Sequence, residues 1–238
     1  MSSASLPKKM TYVRLGNSGL KVSRIILGIG SYGNKAYDAG IQTFDTANTY
    51  SHGESERISG KAIKELNLPR DEIVILTKYT RKAYNIVAQA PGLHIVPSPT
   101  TDAAGYVNQY GLGRKMFGVG MIPWSPLSQG VLSRPCSQTS LRSETSSFSS
   151  MWKQTKEDNK KIVLRLEQIA KNRGISMAQV AIVWSLSKDM VTAPIIGTTS
   201  LENLEDTIGA IDVKLTDEEI RLLEESYAYV AQAIQGYD

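Results

Sequence analysis

The chain has 238 residues, of which 41% are hydrophobic and 21% charged, and its net charge is +4. This length and composition are typical of a globular protein that buries a sizeable core in one large domain or two small ones. The single cysteine, Cys136, excludes an intrachain disulfide framework and favours a reducing compartment, and two histidines leave little material for a metal site.

The distribution of charge and hydropathy excludes several classes of partner. The sequence has no run of Lys or Arg interleaved with aromatic residues, which argues against nucleic acid. Met1–Met10 lacks the apolar centre of a secretory signal, and no stretch approaches the ~18 consecutive apolar residues of a membrane span. We therefore expect a cytoplasmic protein without nucleic-acid or membrane partners, whose mild positive charge suits a phosphate-bearing ligand.

The N-terminal third has the pattern of a hairpin followed by a parallel sheet. Residues 1–9 are expected to form a disordered arm, and Gly16–Gly19 is a turn-forming cluster between two short β runs. Apolar, β-branched runs predict strands, and apolar residues at helical spacing predict a helix. The predicted elements are strands at Ile25–Gly28, Thr43–Ala47 and Ile73–Lys78 and a helix over Ser55–Leu66. A strand–helix–strand order predicts parallel pairing with a crossover helix.

The middle of the chain is less regular. Residues 79–119 contain three prolines and no sustained helical period, so we predict an irregular segment with a short strand at Leu93–Val96. Gly120–Leu127 is typical of a strand that runs into a loop, and the Ser- and Thr-rich residues 136–150 predict a further loop. We assign residues 10–238 to a single domain that includes this irregular segment.

Capping residues mark the C-terminal elements. Gly174 ends one amphipathic helix, Ser176 begins the next, and Thr216 and Glu219 form a capping box at the start of the last. The predicted elements are helices over Lys156–Arg173, Met177–Leu186 and Ser200–Ile208 and from Thr216 onward, and a strand at Ala193–Gly197.

Three side chains at or just beyond strand ends suggest carbonyl chemistry. Asp45 and Lys78 end two predicted parallel strands and Tyr50 follows in a loop, so all three would project from the face where barrel enzymes assemble their sites. Reducing a carbonyl by hydride transfer leaves an alkoxide that must be protonated. A tyrosine hydroxyl can donate that proton, and a neighbouring ammonium favours its charged form. Tyr50 would be the general acid and base, Lys78 its tuner and Asp45 the residue that orients Lys78.

Simpler interpretations remain for single residues. Asp45 taken alone would cap a turn and Lys78 would be a solvated charge at a strand end. His52 lies two residues from Tyr50, but a loop histidine beside a glycine is more often solvated than catalytic. Cys136 lies in a polar loop without a paired histidine motif, so we predict no nucleophilic role for it.

The motifs around these residues resemble a known family. Phe44–Tyr50 reads F-D-T-A-x-x-Y, Gly53–Glu56 reads G-x-S-E and Leu76–Lys78 reads L-T-K, a combination similar to the aldo-keto reductases. The run from Gly40 to Lys78 and the opening Val13–Val22 resemble the aryl-alcohol dehydrogenase branch of that family. The resemblance implies a fold of the (β/α)8 TIM-barrel type.

Two later blocks extend the resemblance to the cofactor. Ile122–Leu127 with Gly130 resembles the cofactor-covering loop of the family, and Pro194–Ser200 with Asn203–Asp206 resembles the segment that holds the adenosine 2′-phosphate. A glycine loop that leads into a capped helix is also a good anion site. The resemblance therefore implies NADP(H), held by Trp124, Ser125, Pro126, Leu127, Gly130, Arg142, Gly197, Thr199, Asn203, Asp206 and Thr207.

Two internal segments of the family pattern are missing from this chain. Only residues 31–42 separate the first two predicted strands, where the family has a full helix. The 41 residues between Lys78 and Gly120 cannot hold three βα units of about 30 residues each. We therefore predict an α/β fold with an incomplete (β/α)8 barrel of about five of the eight strands.

The resemblance implies an NADP(H)-dependent oxidoreductase that interconverts aldehydes or ketones with alcohols, and it favours aryl compounds as substrates. It also implies that the missing segments carry the family's catalytic histidine and the residues that orient the nicotinamide, so we expect low turnover. The alternative is a non-catalytic relic that binds a cofactor or a partner, or a poorly folding splice product. Unpaired strand edges in a gapped sheet would favour self-association.

Overall fold

The computed structural model describes residues 10–28, 33–48, 50–78, 120–138, 156–198 and 200–225. The chain divides into two compact units, one of Met1–Trp124 with Asp189–Leu204 and one of Ser125–Lys188 with Glu205–Asp238. The predictions for the arm at 1–9, the irregular segment at 79–119 with its strand at Leu93–Val96, and most of the 136–150 loop lie outside the described residues. A single domain over 10–238 stays a prediction.

The first unit opens with the predicted hairpin. Strands β1 (Tyr12–Arg14) and β2 (Lys21–Ser23) pair antiparallel, with Val13 opposite Val22. The turn between them contains Gly16 with a φ of 55°, a conformation that glycine adopts at little cost. The hairpin is confirmed, because its signal lies within a few consecutive residues.

A four-stranded parallel sheet forms the centre of this unit. Its strands are β3 (Ile26–Gly28), β4 (Thr43–Asp45), β5 (Val74–Leu76) and β6 (Ile195–Ile196). Their order across the sheet is β5-β4-β3-β6, and each neighbouring pair is parallel. The predicted α/β class with parallel pairing is confirmed, and all four strands end at the same edge of the sheet.

A fifth segment runs parallel to β6 without becoming a full strand. Met121 bridges Val191 and Trp124 bridges Ile195, on the side of β6 away from β3. The strand predicted over Gly120–Leu127 is therefore reduced to two bridges, and the strand predicted over Ala193–Gly197 to two residues. Prolines explain the shortening, since Pro123 and Pro194 have no backbone N–H to give to a ladder.

Helices connect the parallel strands. Helix α1 (Gly33–Asp38) lies between β3 and β4, where the sequence predicted only a short connection. A 3₁₀ turn (Tyr50–Gly53) leads into α2 (Glu54–Glu65), which agrees with the predicted helix. Gly40 follows α1 with a φ of 92°, and a Cβ there would lie 2.8 Å from the Cβ of Met10. Only glycine therefore fits this turn into β4.

The core of the first unit lies between the hairpin and the sheet. Val22 and Ile26 form a buried cluster with Ala193 and Ile195, which come from a distant part of the sequence. Half-buried apolar residues from both layers pack against it, namely Val13, Leu15, Leu76 and Ile122. The hairpin thus covers one part of the parallel sheet and buries apolar surface that would otherwise contact water.

The second unit is helical. It contains α3 (Lys156–Arg173), α4 (Met177–Leu186) and α6 (Asp217–Glu224). Helix α5 (Leu201–Gly209) follows β6, and its residues from Glu205 onward belong to this unit. The bounds of α3 and α4 are those predicted. Val163, Leu166, Val180 and Leu223 belong to its buried cluster. No helix in the described part of the chain is long and apolar enough to cross a membrane.

Local caps explain why these helices begin where they do. Ser176 accepts a hydrogen bond from the N–H of Gln179 at 3.0 Å and so caps α4. Thr216 and Glu219 form the predicted capping box of α6, in which each side chain accepts a hydrogen bond from the backbone N–H of the other. Such caps satisfy N–H groups that the first turn of a helix leaves unpaired.

An ion pair ties the end of α3 to the start of α6. Arg173 donates from Nε and Nη2 to the two carboxylate oxygens of Glu219, both at 2.6 Å. This bidentate pair, with smaller contributions from hydrogen bonds of Thr216, lowers the pKa of Glu219 from 4.5 to about 2. The charged form of Glu219 therefore stabilises the folded state.

We predict that Glu219→Gln lowers the free energy of unfolding by about 1 kcal/mol near neutral pH, because glutamine keeps the cap but loses the charge pair. The folded pKa of Glu219 is depressed, so its contribution is present above about 4.5 and is lost as the pH falls toward about 2. Urea unfolding of both proteins between about pH 7 and pH 3 measures the difference. Glu218→Gln is the matched control, and its free energy of unfolding should differ much less from that of the unchanged protein. The prediction would be contradicted if the loss of unfolding free energy caused by Glu219→Gln were as large at about pH 3 as at about pH 7.

Candidate active site

The ammonium of Lys78 lies against the buried carboxylate of Asp45. Its Nζ is 2.7 Å and 2.8 Å from the two carboxylate oxygens of Asp45 and 2.8 Å from the carbonyl oxygen of Thr46. Asp45 is 3% exposed, whereas the side chain of Lys78 is 45% exposed. The register of β4 and β5, with Asp45 opposite Leu76, brings the two side chains to the same sheet edge. The three hydrogens of the ammonium thus have three acceptors.

Tyr50 lies beside this pair. It begins the 3₁₀ turn after β4, where its N–H donates to the carbonyl of Ala47 at 3.1 Å. The Nζ of Lys78 is 5.2 Å from the centroid of the Tyr50 ring, within the range of a cation–π contact. Tyr50 is 41% exposed. The structure therefore brings together the three predicted catalytic residues and leaves the aromatic one accessible to a small molecule.

Sequence reasoning missed the side chains that support this group. The Oγ atoms of Ser55 and Thr46 are 2.9 Å apart, and the hydroxyl of Thr77 donates to Glu56. Gly53 turns the chain into α2 with a φ of 88°. The G-x-S-E motif was the available signal, but its partners at positions 46 and 77 are not visible without the tertiary structure.

Three described residues of the predicted cofactor set lie in the first unit. Trp124 is 64% exposed beside the end of β6, and Gly197 is exposed just beyond it, with open space where a Cβ would point. The N–H of Asn203 donates to the hydroxyl of Ser200 at 3.2 Å, which caps α5. Thr199 and Arg142 lie outside the described residues.

The second unit contains the other described residues of that set. Ser125, Pro126, Leu127 and Gly130 form a loop of unusual backbone geometry, in which the non-glycine residues Ser125, Ser128 and Gln129 have φ values of 57°, 49° and 57°. Left-handed geometry costs a non-glycine residue about 1 kcal/mol or more and persists where the surroundings enforce it.

Asp206 is half-buried and Thr207 is buried. Asp206 accepts a hydrogen bond from the hydroxyl of Ser176 at 2.6 Å, and Thr207 is 3% exposed. The binding roles of both residues, and of the loop at Ser125–Gly130, stay predictions.

Polar groups line the turn that follows β6. The hydroxyl of Thr198 donates to the carbonyl of Ser200 at 3.0 Å and accepts from its N–H, so the chain enters α5 through a compact polar turn. A nine-residue helix follows, with Glu202 in its first turn. In the described part of the chain, no group of three His, Cys, Asp or Glu residues could hold a metal ion.

Comparison with known proteins points to one family. The sequence model of the "Aldo/keto reductase family" matches residues 33–95 and 107–228. A versiconal hemiacetal acetate reductase of Aspergillus parasiticus is 30% identical over 92% of this chain and 97% of its own. A protein of Schizosaccharomyces pombe named as an aryl-alcohol dehydrogenase is 30% identical over 94% of this chain and 97% of its own. One of the same name in Saccharomyces cerevisiae is 26% identical over 90% and 96%.

These alignments contain long internal gaps. The alignment with the Aspergillus reductase spans 341 positions, although this chain has only 238 residues. At least about a hundred aligned positions of the relative therefore face no residue of this chain. The alignment covers 97% of the relative, so most of the difference in length lies within the chain.

We predict that Lys78→Met lowers the free energy of unfolding by about 2 kcal/mol, because it leaves the buried carboxylate of Asp45 without its ammonium. The double variant Asp45→Asn with Lys78→Met should recover most of that loss, since the buried charge is then gone. Lys61→Met is the surface control, as its ion pair with Glu65 is exposed and should contribute less than about 1 kcal/mol. Denaturant unfolding measures all three. A double variant less stable than Lys78→Met would contradict the prediction.

Proposed function

The chain belongs to the aldo/keto reductase family, and on that premise we propose that it is an NADP(H)-dependent oxidoreductase that interconverts carbonyl compounds and alcohols. Aryl aldehydes and aryl alcohols are the proposed substrates, because two of the relatives are named as aryl-alcohol dehydrogenases. The observation that carries the proposal is the group formed by Asp45, Tyr50 and Lys78.

Tyr50 is the proposed general acid and base. NADP(H), when bound, supplies or accepts the hydride. The hydroxyl of Tyr50 gives its proton to the carbonyl oxygen during reduction and takes it back during oxidation. The ammonium of Lys78, 5.2 Å from the ring centroid, stabilises the negative charge that this step places on the tyrosine oxygen. Asp45 orients the ammonium through two hydrogen bonds.

The proposed cofactor site lies along the ends of β6 and the segment that bridges it. The exposed Trp124 and Gly197 lie beside the strand end, and the capped start of α5 follows them. The polar turn at Thr198 and the first N–H groups of α5 support a preference for a 2′-phosphate, and so for NADP(H) over NAD(H). Further proposed contacts come from Ser125–Leu127, Gly130, Arg142, Thr199, Asn203, Asp206 and Thr207.

We also propose that the fold is an incomplete (β/α)8 barrel. In a closed barrel the last strand returns beside the first, and here the first parallel strand, β3, pairs with the last, β6. With the bridged segment at Met121–Trp124, five neighbouring segments run parallel. The long gaps relative to the Aspergillus reductase support the loss of the remaining strands from this chain.

Such a loss should lower the rate. Residues that orient the nicotinamide in the family resemblance would lie in the missing segments, and misplacement of the reacting atoms by about 1 Å can cost about 10²-fold in rate. We therefore expect turnover well below that of a full-length family member with the same substrate.

We predict that Tyr50→Phe lowers kcat for aromatic aldehydes by about 10²-fold or more, because the proton donor is removed. NADPH oxidation with a panel of aromatic aldehydes measures the effect. Tyr37→Phe is the control, since the hydroxyl of Tyr37 bonds to Glu72, away from Lys78, and turnover should not change. Activity that survives Tyr50→Phe would show the site assignment to be wrong. No turnover in either protein would favour a non-catalytic relic.

We predict that NADP(H) binds about 10-fold or more tightly than NAD(H), because only the former carries the 2′-phosphate that the start of α5 suits. Quenching of tryptophan fluorescence on titration measures both affinities. Asn203→Ala should weaken binding of NADP(H) and leave that of NAD(H) unchanged. Equal affinities for the two cofactors would remove this part of the proposal.

A further inference from the structure

The first turn of α2 contacts both chain segments that hold the ammonium of Lys78. The hydroxyl of Ser55 lies 2.9 Å from that of Thr46, whose carbonyl accepts a hydrogen bond from Lys78 Nζ. The next residue, Glu56, accepts a hydrogen bond from Thr77, which precedes Lys78 in the chain. Ser55 thus contacts the segment that contains Thr46, an acceptor of the Lys78 ammonium. Its neighbour Glu56 is bonded to Thr77, in the segment that contains Lys78 itself.

Lys78 depends on these neighbours because its own side chain is not enclosed. It is 45% exposed, and a lysine side chain loses about 2 kcal/mol of rotamer entropy when it is fixed in one geometry. The acceptor loop is well held: Thr46 is 1% exposed, its N–H donates to the carbonyl of Leu76, and the N–H of Asn48 donates to that of Lys78. A shift of Thr46 would move one of the three acceptors of the ammonium.

The same helix end also sets the position of Tyr50. The 3₁₀ turn Tyr50–Gly53 continues directly into α2 at Glu54, through the left-handed geometry of Gly53. A change at the first turn of α2 would therefore alter the separation between Tyr50 and Lys78. Ser55 and Glu56, in that first turn, therefore affect the positions of both Tyr50 and Lys78.

We propose that Ser55 and Glu56 are positioning residues, which hold Tyr50 and Lys78 at their mutual separation. This inference rests on the proposed function of that pair. The two residues act through Thr46 and Thr77 rather than on the substrate, so their loss should affect the rate more than substrate binding. The G-x-S-E motif at Gly53–Glu56 then has a physical purpose: it joins a catalytic loop to the strand that bears the lysine.

The test uses Ser55→Ala with two readouts. The first is the split between kcat and KM for an aromatic aldehyde, with kcat expected to fall about 10-fold and KM to change less than about twofold. The second is the rate at which acetic anhydride modifies Lys78, followed by peptide mass spectrometry. An ammonium released from its acceptors should react several-fold faster, while Lys61 in the same protein should react at its original rate.

Matched variants separate positioning from general stability. Ser59→Ala removes another hydroxyl of α2, one that bonds to the carbonyl of Ser55 rather than to Thr46, and should change neither readout. Ser55→Thr keeps a hydroxyl and should restore both. Glu56→Gln keeps an oxygen that can accept from Thr77 and should keep Lys78 protected, whereas Glu56→Ala should expose it.

The outcomes are separable from those of the proposed function. Acetylation of Lys78 requires no turnover, so it decides the positioning role even where Tyr50→Phe contradicts the catalytic assignment. Unchanged acetylation and unchanged kcat in Ser55→Ala would overturn the proposal, and so would equal effects from Ser59→Ala. In a protein without measurable turnover, faster acetylation in Ser55→Ala alone supports it and unchanged acetylation overturns it.

Discussion

The pairing of the Lys78 ammonium with the buried Asp45 carboxylate constrains the carboxyl ends of β4 and β5 in the parallel sheet. A carboxylate that is 3% exposed would cost several kcal/mol to keep charged without a partner. β4 and β5 must therefore keep the register that brings Lys78 to Asp45. The same register lets the N–H of Thr46 donate to the carbonyl of Leu76, which continues the pairing one residue beyond β4. One ion pair thus fixes both the sheet edge and the group beside which Tyr50 lies.

Contacts between an early and a late part of the sequence stabilise the first unit. β3 pairs with β6, and Arg24 donates from Nη1 to the carbonyl of Thr192 at 2.8 Å. Burial lowers the pKa of Arg24, but the guanidinium stays charged because its ordinary pKa is so high. The core cluster of Val22, Ile26, Ala193 and Ile195 draws on the same two regions. A chain that lacks about a hundred positions of its relatives can therefore still bury the surface between its first and last parallel strands.

The loop after Trp124 shows a different kind of constraint. Left-handed geometry at Ser125, Ser128 and Gln129 is held by hydrogen bonds such as that from the N–H of Gln129 to the hydroxyl of Ser125, at 3.2 Å. Strain of this kind concentrates at ligand sites, where it fixes backbone groups in advance of binding. It agrees with the proposed role of the loop in cofactor binding, and it marks the loop as preorganised rather than adaptable.

The sequence by itself determined the elements whose signals are local. The hairpin, α3, α4 and the capping box of α6 depend on residues within a few positions of each other, so periodicity and capping rules predict them. The motifs likewise placed Asp45 and Lys78 at strand ends and Tyr50 in the loop that follows Asp45. Only the tertiary structure decided the rest: the short helix α1, the bridges that flank β6, and the bonds from Ser55 and Glu56 to Thr46 and Thr77. Apart from α1, these features join residues distant in sequence, and a hydrogen bond between distant residues leaves no periodic trace in the chain that forms it.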